Sequence, residues 1–135
     1  MLLCSGKIYV DLAGSDLRAA RRDVALCRLE QLYPLPMRDL RAMLDGYASA
    51  DEIVWVQEEP ENMGTWEFVR TKLAEVGNGR PVRAVTRPRS ASPAEGSAAR
   101  HARQQQSLIE AAFAEPKPQA RAKVGSKPAP EQVAG

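Results

Sequence analysis

The sequence predicts an α/β domain in which a mostly parallel sheet of about four strands is covered by helices. Short apolar segments, each closed by a turn, alternate four times with segments whose apolar residues recur every three or four positions. This alternation is typical of parallel sheets. One apolar segment, residues 53–57, is nearly continuous, which indicates a central strand buried on both faces. With 135 residues, the chain is long enough for one such domain.

The first predicted strand is LLC at residues 2–4, which a Ser-Gly-Lys turn ends. An amphipathic helix should follow it, although Gly14 and Ser15 weaken the middle of that helix. The three- and four-residue spacing of apolar side chains predicts that its core face comprises Val10, Ala13, Leu17 and Ala20.

The second predicted strand is VALCRL at residues 24–29, and the two prolines that follow it forbid further ladder pairing. Pro36 suits the first turn of a helix. Apolar spacing predicts that the core face of this helix comprises Leu40, Met43, Leu44 and Tyr47.

The third predicted strand, residues 53–57, runs into the segment QEEPENMG, and a fourth strand is predicted at residues 82–86. The helix predicted between these two strands ends at the glycines and proline of residues 77–81, and its core face would comprise Trp66, Val69, Leu73 and Val76. A last helix is predicted at residues 98–113. The apolar end of the last would comprise Leu108, Ile109, Ala112 and Phe113.

Charge divides the chain into a balanced part and a basic tail. Residues 1–113 contain 15 basic and 15 acidic side chains, and residues 114–135 contain four and two. The tail is rich in Ala, Pro and Lys and has only two valines, so it lacks the apolar surface that would offset the entropy of ordering. We therefore expect one folded domain at residues 1–113 and a disordered tail at residues 114–135.

The composition also predicts a cellular location. No stretch approaches the roughly 20 apolar residues of a membrane span, and the first residues lack the pattern of a secretory signal, so we expect a cytoplasmic protein without membrane contacts. Cys4 and Cys27 lie in apolar runs with no zinc-like spacing, which favours two buried thiols over a disulfide.

The carboxylates after the third strand are the most conspicuous candidates for chemistry, because ligands of open parallel sheets bind beyond the carboxyl ends of the strands. Glu58 and Glu59 are adjacent and would point to opposite sides of an extended segment, which argues against a facing acid and base pair. With Glu61 and Asn62 they match no calcium loop, so no metal site is predicted. The remaining interpretation is that one glutamate pairs with an arginine or caps the next helix.

Other catalytic arrangements have little support in the sequence. The single histidine, His101, lies between Arg100 and Arg103, which indicates a solvated helix face. Cys/His and Ser/His/Asp arrangements have little support as well, because both thiols are predicted to be buried and the sequence has no second histidine. No catalytic residue is predicted.

Basic residues suggest a second hypothesis, in which a free-standing α/β module binds an acyl-carrier or nucleotide-like anion. The candidate anion-binding residues are Lys7, Arg80, Arg83, Arg87 and Arg89. The alternative is that the arginines pair with acidic side chains of the folded part. Aromatic residues are not interleaved with the basic ones, so nucleic acid is not a predicted partner.

Five segments together resemble the carboxyl-terminal region of the thiamine-dependent first component of the 2-oxoglutarate dehydrogenase complex. They are LLCSGKIYVDL, RLEQLYPLP, VWVQEEPENMGTWEFV, RPRSASPAEGS and HARQQQSLIEAAF. The resemblance covers about residues 1–113 and implies a three-layer α/β/α unit similar to the last domain of transketolases. It implies that this chain braces the enzyme and is not catalytic alone.

The resemblance also implies cofactors, partners and contact residues. Thiamine diphosphate and Mg²⁺ would be held by two preceding domains, and the whole enzyme would decarboxylate 2-oxoglutarate and pass the succinyl group to lipoyl groups in the tricarboxylic acid cycle. The partners would be those domains, the homodimer mate and the succinyltransferase core. The matching motif positions assign to an inter-domain face Glu58, Glu59, Asn62, Trp66, Arg87, Ser90 and Ser92.

The transketolase-like topology includes an antiparallel edge strand before the segment LLCSGK, and Met1 leaves no room for it. One edge of the sheet would then be unpaired, and an unpaired edge favours association. We expect the isolated chain to be marginally stable or to self-associate.

Overall fold

A computed structural model describes residues 1–93 and 96–115. Nine helices and strands lie within these ranges. They are β1 (Leu2–Cys4), α1 (Ile8–Ala13), α2 (Asp16–Ala20), β2 (Leu26–Arg28), α3 (Met37–Gly46), β3 (Ile53–Pro60), α4 (Trp66–Val76), β4 (Val82–Arg87) and α5 (Ala98–Phe113). The predicted tail from residue 116 onward lies outside the described residues.

The four strands form one sheet in the order β2-β1-β3-β4, and every neighbouring pair is parallel. The central strand β3 is almost fully buried from Ile53 to Gln57, as its continuous apolar run predicts. The predicted parallel α/β fold is therefore confirmed.

Helices cover both faces of the sheet, which gives three layers. On one face, α3 and α4 pack on Leu3, Cys27, Ile53 and Trp55. On the other face, α1 and α5 pack on Leu2, Cys4, Val54, Val56 and Val85. Consecutive strand residues alternate between the two hydrophobic clusters because strand side chains point alternately to opposite faces.

The core faces of α4 and α5 are confirmed. The buried residues are Trp66, Val69, Leu73 and Val76 in α4, and Leu108, Ile109, Ala112 and Phe113 in α5. In α3, Leu40 and Leu44 are buried and Met43 packs beside them. Tyr47, predicted to be in the core, is 43% exposed because α3 ends at Gly46.

The prediction of one helix after the first strand is wrong. The segment forms two short helices, α1 and α2, and the side chain of Ser15 accepts a hydrogen bond from the backbone nitrogen of Leu17 at the start of α2. Because the chain turns there, the helical phase is not continuous. Ile8 and Leu12 face the core, and Val10 is 61% exposed.

Strand β3 extends three residues further than predicted, and it does so through an irregularity. Val56 pairs with Val85 and Pro60 pairs with Arg87, so three residues of β3 stand opposite Thr86 alone. These three residues are Gln57, Glu58 and Glu59. Such a bulge bends the strand and redirects side chains, and here it determines where the glutamine and two glutamates point.

Candidate interface at the carboxyl edge of the sheet

Because all four strands are parallel, the segments after β1, β3 and β4 meet at one edge of the sheet, where the first turns of α5 also lie. We call the polar surface of this edge, defined by Lys7, Asp11, residues 57–64, residues 87–92 and Gln105, the carboxyl-edge face. It is built from three groups of hydrogen bonds.

The first group centres on Gln57, whose side chain is only 3% exposed. Its side-chain oxygen accepts hydrogen bonds from the indole nitrogen of Trp55 and the backbone nitrogen of Trp66, both at 3.0 Å. Its amide nitrogen donates to the carbonyl oxygens of Pro60 at 3.1 Å and Met63 at 2.7 Å. This buried amide holds the turn between β3 and α4, a role that sequence reasoning assigned to a glutamate.

Gly64 is part of the same turn and has a φ of +69°, which favours glycine. A Cβ atom at this position would lie 3.0 Å from the amide nitrogen of Gln57 and 3.1 Å from the Cβ of Glu59. The glycine therefore lets the turn close tightly over the Gln57 amide.

The second group centres on Gln105 of α5. Its amide nitrogen donates to a carboxylate oxygen of Asp11 and to one of Glu58, both at 2.8 Å. Its side-chain oxygen accepts a hydrogen bond from Arg87 at 3.1 Å. Lys7 adds an ion pair with Asp11 at 2.5 Å and lies 3.7 Å from Glu58. Glu58 is thus paired with a lysine and an amide, whereas the sequence suggested that one glutamate would pair with an arginine or cap the next helix.

These contacts change the titration of Lys7 and Asp11. The hydrogen bond from Lys7, followed by the one from Gln105, lowers the pKa of the Asp11 carboxyl group, and burial opposes this only in part. The bond to Asp11 in turn raises the pKa of Lys7. Both groups are therefore held in their charged forms at neutral pH.

Arg87 enters the same network from β4 and is only 7% exposed. One of its terminal nitrogens lies 3.4 Å from Nδ1 of His101 as well as near Gln105. The imidazole itself is exposed, as the flanking arginines predict.

The third group joins two loops through Asn62 and Ser90. The side-chain amide of Asn62 donates to the carbonyl oxygen of Ser90 at 2.9 Å, and its oxygen accepts from the backbone nitrogen of Ser90 at 3.0 Å. The Ser90 hydroxyl accepts from the backbone nitrogen of Ser92 at 3.1 Å. The loop after β3 is thereby fastened to the loop after β4.

The predicted contact residues differ in how much surface they present. Glu59, Asn62 and Ser92 are exposed, and Glu58 and Ser90 are partly exposed. Trp66 and Arg87 are buried, so in this chain they pack beneath the exposed residues of the face and do not form part of its surface.

The predicted anion-binding residues do not gather in one place. Arg80 donates to the carbonyl oxygens of Gly77, Leu44 and Tyr47, at the end of α4 and around the end of α3. Arg83 makes a two-point ion pair with Glu52 at 2.8 and 3.0 Å.

The two remaining arginines of that segment, Arg87 and Arg89, lie at the other end of β4. Arg83 and Arg87 are four strand residues apart, roughly 13 Å at the usual rise. Arg89 lies 3.9 Å from a carboxylate oxygen of Glu61. The arginines thus have separate local partners, which favours the alternative in which they pair within the folded part.

The two cysteines lie away from this face, on the neighbouring strands β1 and β2. Both are free and buried, as expected, and the thiol of Cys4 donates to the carbonyl oxygen of Cys27 at 3.7 Å. Burial raises the pKa of Cys4 to about 12 and also raises that of Cys27. Neither is a reactive thiolate at neutral pH.

No helix within residues 1–93 and 96–115 combines the length and the apolar character that a bilayer crossing requires. The same residues bring no three histidine, cysteine or acidic side chains into a metal-binding cluster.

The fold and the face define a class of protein, the three-layer α/β/α domain with a parallel sheet whose carboxyl edge is filled by internal polar contacts. The family model described as 2-oxoglutarate dehydrogenase C-terminal matches residues 1–113. The chain belongs to this family, which confirms the resemblance inferred from its five segments.

Named relatives agree with the family assignment. The chain is 46% identical over 115 residues to the 2-oxoglutarate dehydrogenase E1 component of Cupriavidus necator, covering 84% of the chain and 12% of the relative. It is 44% identical over 115 residues to the multifunctional 2-oxoglutarate metabolism enzyme of Mycolicibacterium vanbaalenii, covering 84% and 9%. The E1 component of Rickettsia felis is 40% identical over 117 residues, covering 84% and 12%. The chain thus spans about a tenth of the length of these relatives.

The resemblance assigns thiamine diphosphate and Mg²⁺ to preceding domains, and the paired carboxylates of the carboxyl-edge face do not suit Mg²⁺. Magnesium requires free oxygen ligands in octahedral geometry. Asp11 and Glu58, the carboxylates that Gln105 brings together, are already held by Gln105 and Lys7. These two carboxylates are therefore already engaged in structural contacts.

Proposed function

We propose that this chain acts as the structural and interface-forming carboxyl-terminal domain of a 2-oxoglutarate dehydrogenase first component, without catalysis of its own. The observation that carries the proposal is the carboxyl-edge face, in which the family's motifs are used for internal bracing. Gln57 holds the turn, and Gln105 and Lys7 engage the carboxylates of Asp11 and Glu58. These two carboxylates therefore serve the structure of the face.

Exposed parts of the same face supply the contact surface. Glu59, Asn62 and Ser92 project from loops that internal hydrogen bonds hold in place, with the partly exposed Glu58 and Ser90 beside them. Rigid polar groups of this kind suit an interface rim, where they fix orientation and register. Trp66 and Arg87 would contribute by supporting these loops.

The partner of this surface would be the thiamine-binding domains of the same enzyme and its homodimer mate. The whole enzyme would use thiamine diphosphate and Mg²⁺, bound by those other domains, to decarboxylate 2-oxoglutarate in the tricarboxylic acid cycle. It would then pass the succinyl group to lipoyl groups of the succinyltransferase core. We place this work in the cytoplasm and assign residues 114–135 no part in the interface.

The competing hypothesis, a free-standing module that binds an anion through Lys7 and the segment Arg80 to Arg89, gains no support from the geometry. Lys7 is engaged by Asp11, Arg80 by backbone carbonyls and Arg83 by Glu52. A single ligand would have to break several of these contacts at sites far apart.

A domain exchange tests the proposal directly. Residues 1–113 would replace the matching carboxyl-terminal region of the Cupriavidus necator relative, and dimer assembly and 2-oxoglutarate decarboxylation would be measured with thiamine diphosphate and Mg²⁺. We expect a dimeric, active chimera. A chimera that folds but neither assembles nor turns over would contradict the interface role.

Two further measurements make the domain-exchange experiment more specific. Glu59→Lys in the chimera should weaken dimer assembly, and Glu75→Lys, a matched charge reversal on the exposed side of α4, should not. The isolated 135-residue chain should show no turnover of 2-oxoglutarate in the same assay, and measurable turnover would refute the absence of catalysis.

A further inference from the structure

Strand β4 forms one edge of the sheet and pairs with β3 alone within the described part of the chain. The carbonyl oxygen of Pro81 accepts a hydrogen bond from the backbone nitrogen of Ile53, and that of Arg87 accepts one from Glu61. The odd-numbered residues of β4 therefore direct their backbone groups towards β3. Since backbone groups alternate in direction along a strand, those of the even-numbered residues point away from the sheet. These outward residues are Val82, Ala84 and Thr86.

The outward edge of β4 is accessible and weakly protected. Its three outward residues are partly exposed and lie along a groove of about 660 Å³. Natural edge strands are usually guarded by charges, internal prolines or bulges. Here Pro81 and Pro88 flank the strand but none lies inside it. Arg83, the partly exposed charge of β4, is held by Glu52, so the edge can accept another strand.

A second copy of the same strand is self-complementary to this edge. Two identical strands related by a two-fold axis run antiparallel when they pair edge to edge. Regular antiparallel pairing sets the outward residues of one strand opposite the outward residues of the other. Within β4, this leaves registers centred on Arg83, on Ala84 or on Val85.

Charge and hydrogen bonding select among these registers. Centred on Ala84, all outward residues are used, which gives about six hydrogen bonds, and Arg83 faces Val85 of the second copy. Centred on Arg83 or on Val85, only about four hydrogen bonds form. These two registers also place Arg83 opposite Arg83 or Arg87 of the second copy, and like charges directly opposite each other are destabilising. The register centred on Ala84 is therefore favoured.

The charges beside the strand agree with antiparallel pairing. Glu61 and Arg83 both line the groove. Glu61 lies next to Arg87, at the end of β4, because its backbone nitrogen donates to the carbonyl oxygen of Arg87. Arg83 lies near the beginning of the strand. Antiparallel pairing brings the end of one β4 to the beginning of the other, so the acidic residue of each copy lies towards the basic residue of its mate.

We propose that two copies of this chain pair antiparallel along β4 in the register centred on Ala84, which joins two four-stranded sheets into one. The contact of one short strand pair is small, so the dimer forms reversibly. This dimer does not rest on the proposed interface role, because Val82, Ala84 and Thr86 are not among the predicted contact residues.

Cysteine cross-linking tests the register in the full 135-residue chain. In this register the two Ala84 Cα atoms are roughly 5.5 Å apart, within the reach of a disulfide. The two Thr86 Cα atoms are four positions apart along the strands, roughly 14 Å. Under mild oxidation we expect Ala84→Cys to give a covalent dimer and Thr86→Cys, on the same edge, to give none. The native chain, whose cysteines are buried, should give none either.

A second experiment tests whether backbone hydrogen bonds hold the dimer. Thr86→Pro removes one outward N–H, and proline is tolerated on the solvent side of an edge strand. Thr86→Ala removes the same side chain but keeps the N–H. In sedimentation velocity of the full chain at increasing concentration, we expect Thr86→Pro to raise the dimer dissociation constant about tenfold or more. Thr86→Ala should remain close to the native chain.

Four outcomes would overturn the proposal. They are a native chain that stays monomeric at high concentration, equal weakening by Thr86→Pro and Thr86→Ala, cross-linking of Thr86→Cys in place of Ala84→Cys, and a mass that grows without limit beyond the dimer. The last would show an open-ended contact and not a closed two-fold pair. Thermal unfolding checks that Thr86→Pro is folded, and if it is not, the cross-linking pair decides alone.

Discussion

The side-chain oxygen of Gln57 lies 3.0 Å from the backbone nitrogen of Trp66, so a residue of β3 caps the start of α4 across the intervening turn. The residue at the usual capping position, Thr65, makes no side-chain cap. The first turn of a helix has backbone N–H groups without helical partners, and Gln57 provides an acceptor for one of them.

Replacing Gln57 with Leu should therefore destabilise the domain by about 2–4 kcal/mol. The change leaves the indole N–H of Trp55 and the backbone N–H of Trp66 without their acceptor in a buried site. Urea unfolding followed by tryptophan fluorescence measures the loss. Gln106→Ala, on the exposed side of α5, is the control and should change the unfolding free energy by less than about 0.5 kcal/mol.

A pair of glycine substitutions tests how tightly the turn at Gly64 packs against the side chain of Gln57. Gly64→Ala should cost about 1–3 kcal/mol, because Gly64 has a positive φ and a Cβ would meet the Gln57 amide. Gly46→Ala, in the last turn of α3, meets nothing within 4 Å and should be neutral or stabilise by up to about 1 kcal/mol. Thermal unfolding of both variants makes the comparison, and similar melting temperatures would contradict the tight packing.

The Lys7–Asp11 pair predicts a dependence of stability on pH. Since the folded pKa of Asp11 is lowered, its contribution is complete above the ordinary carboxyl range and is lost as pH falls through the lowered value. The difference in unfolding free energy between the native chain and Asp11→Asn should be about 0.5–1 kcal/mol near pH 7, because Lys7 is largely solvated. It should shrink towards zero below about pH 4.

At alkaline pH the dependence of stability on pH runs in the opposite direction. The folded pKa of Lys7 is raised, so its contribution is complete below the ordinary lysine range and is lost as pH rises through the raised value. Urea titrations at several pH values measure both limits. A difference that stays constant down to pH 2 would show that Asp11 is not held ionised by its partners. In a Lys7→Met background, the effect of Asp11→Asn on the unfolding free energy should be smaller.

The thiols of Cys4 and Cys27 should be protected in the folded chain. Burial raises the pKa of both, and the thiolate is the reactive form. We expect a disulfide reagent at pH 8 to label neither cysteine in the native chain and both in denaturant. Rapid labelling without denaturant would show that β1 and β2 open easily, as expected for a domain of low stability.

The outer edge of β4 has no strand partner within residues 1–93 and 96–115, and a groove of about 660 Å³ runs along it beside Trp66 and Arg70. An open edge favours pairing with another chain. We expect concentration-dependent self-association in light scattering. Thr86→Lys, in the groove, should weaken it several-fold, and Thr71→Lys, on the exposed side of α4, should not. A stable monomer at high concentration would contradict the expectation.

The sequence predicts elements well where one periodic pattern continues through a whole helix. The four core positions of α4 and the apolar end of α5 follow from three- and four-residue spacing alone. The same rule fails for Val10, because Gly14 and Ser15 stop α1 and the phase begins again in α2. Tyr47 fails for a related reason, since α3 ends one residue before it.

Contacts across the fold were beyond the reach of periodicity. Gln57 and Gln105 are ordinary polar residues in the printed sequence. The role of Gln57 arises when the chain turns between β3 and α4, and that of Gln105 arises when α1, β3, β4 and α5 come together. The one available signal was a glutamine directly continuing a buried apolar run. The arginines show the same limit of sequence patterns. Arg83 and Arg87 share a strand, but Arg87 lines a cleft together with Arg100 and Arg103 from α5.

The two hydrogen bonds between Asn62 and Ser90 have a consequence for the kinetics and thermodynamics of docking. Loops that are ordered only on contact lose conformational entropy at that moment, which weakens binding. Here the two loops are joined beforehand, so the face would meet the proposed partner in nearly its final shape. Asn62→Ala should then leave the docking enthalpy of the surrounding contacts largely intact while making the entropy of association less favourable, with a slower productive encounter.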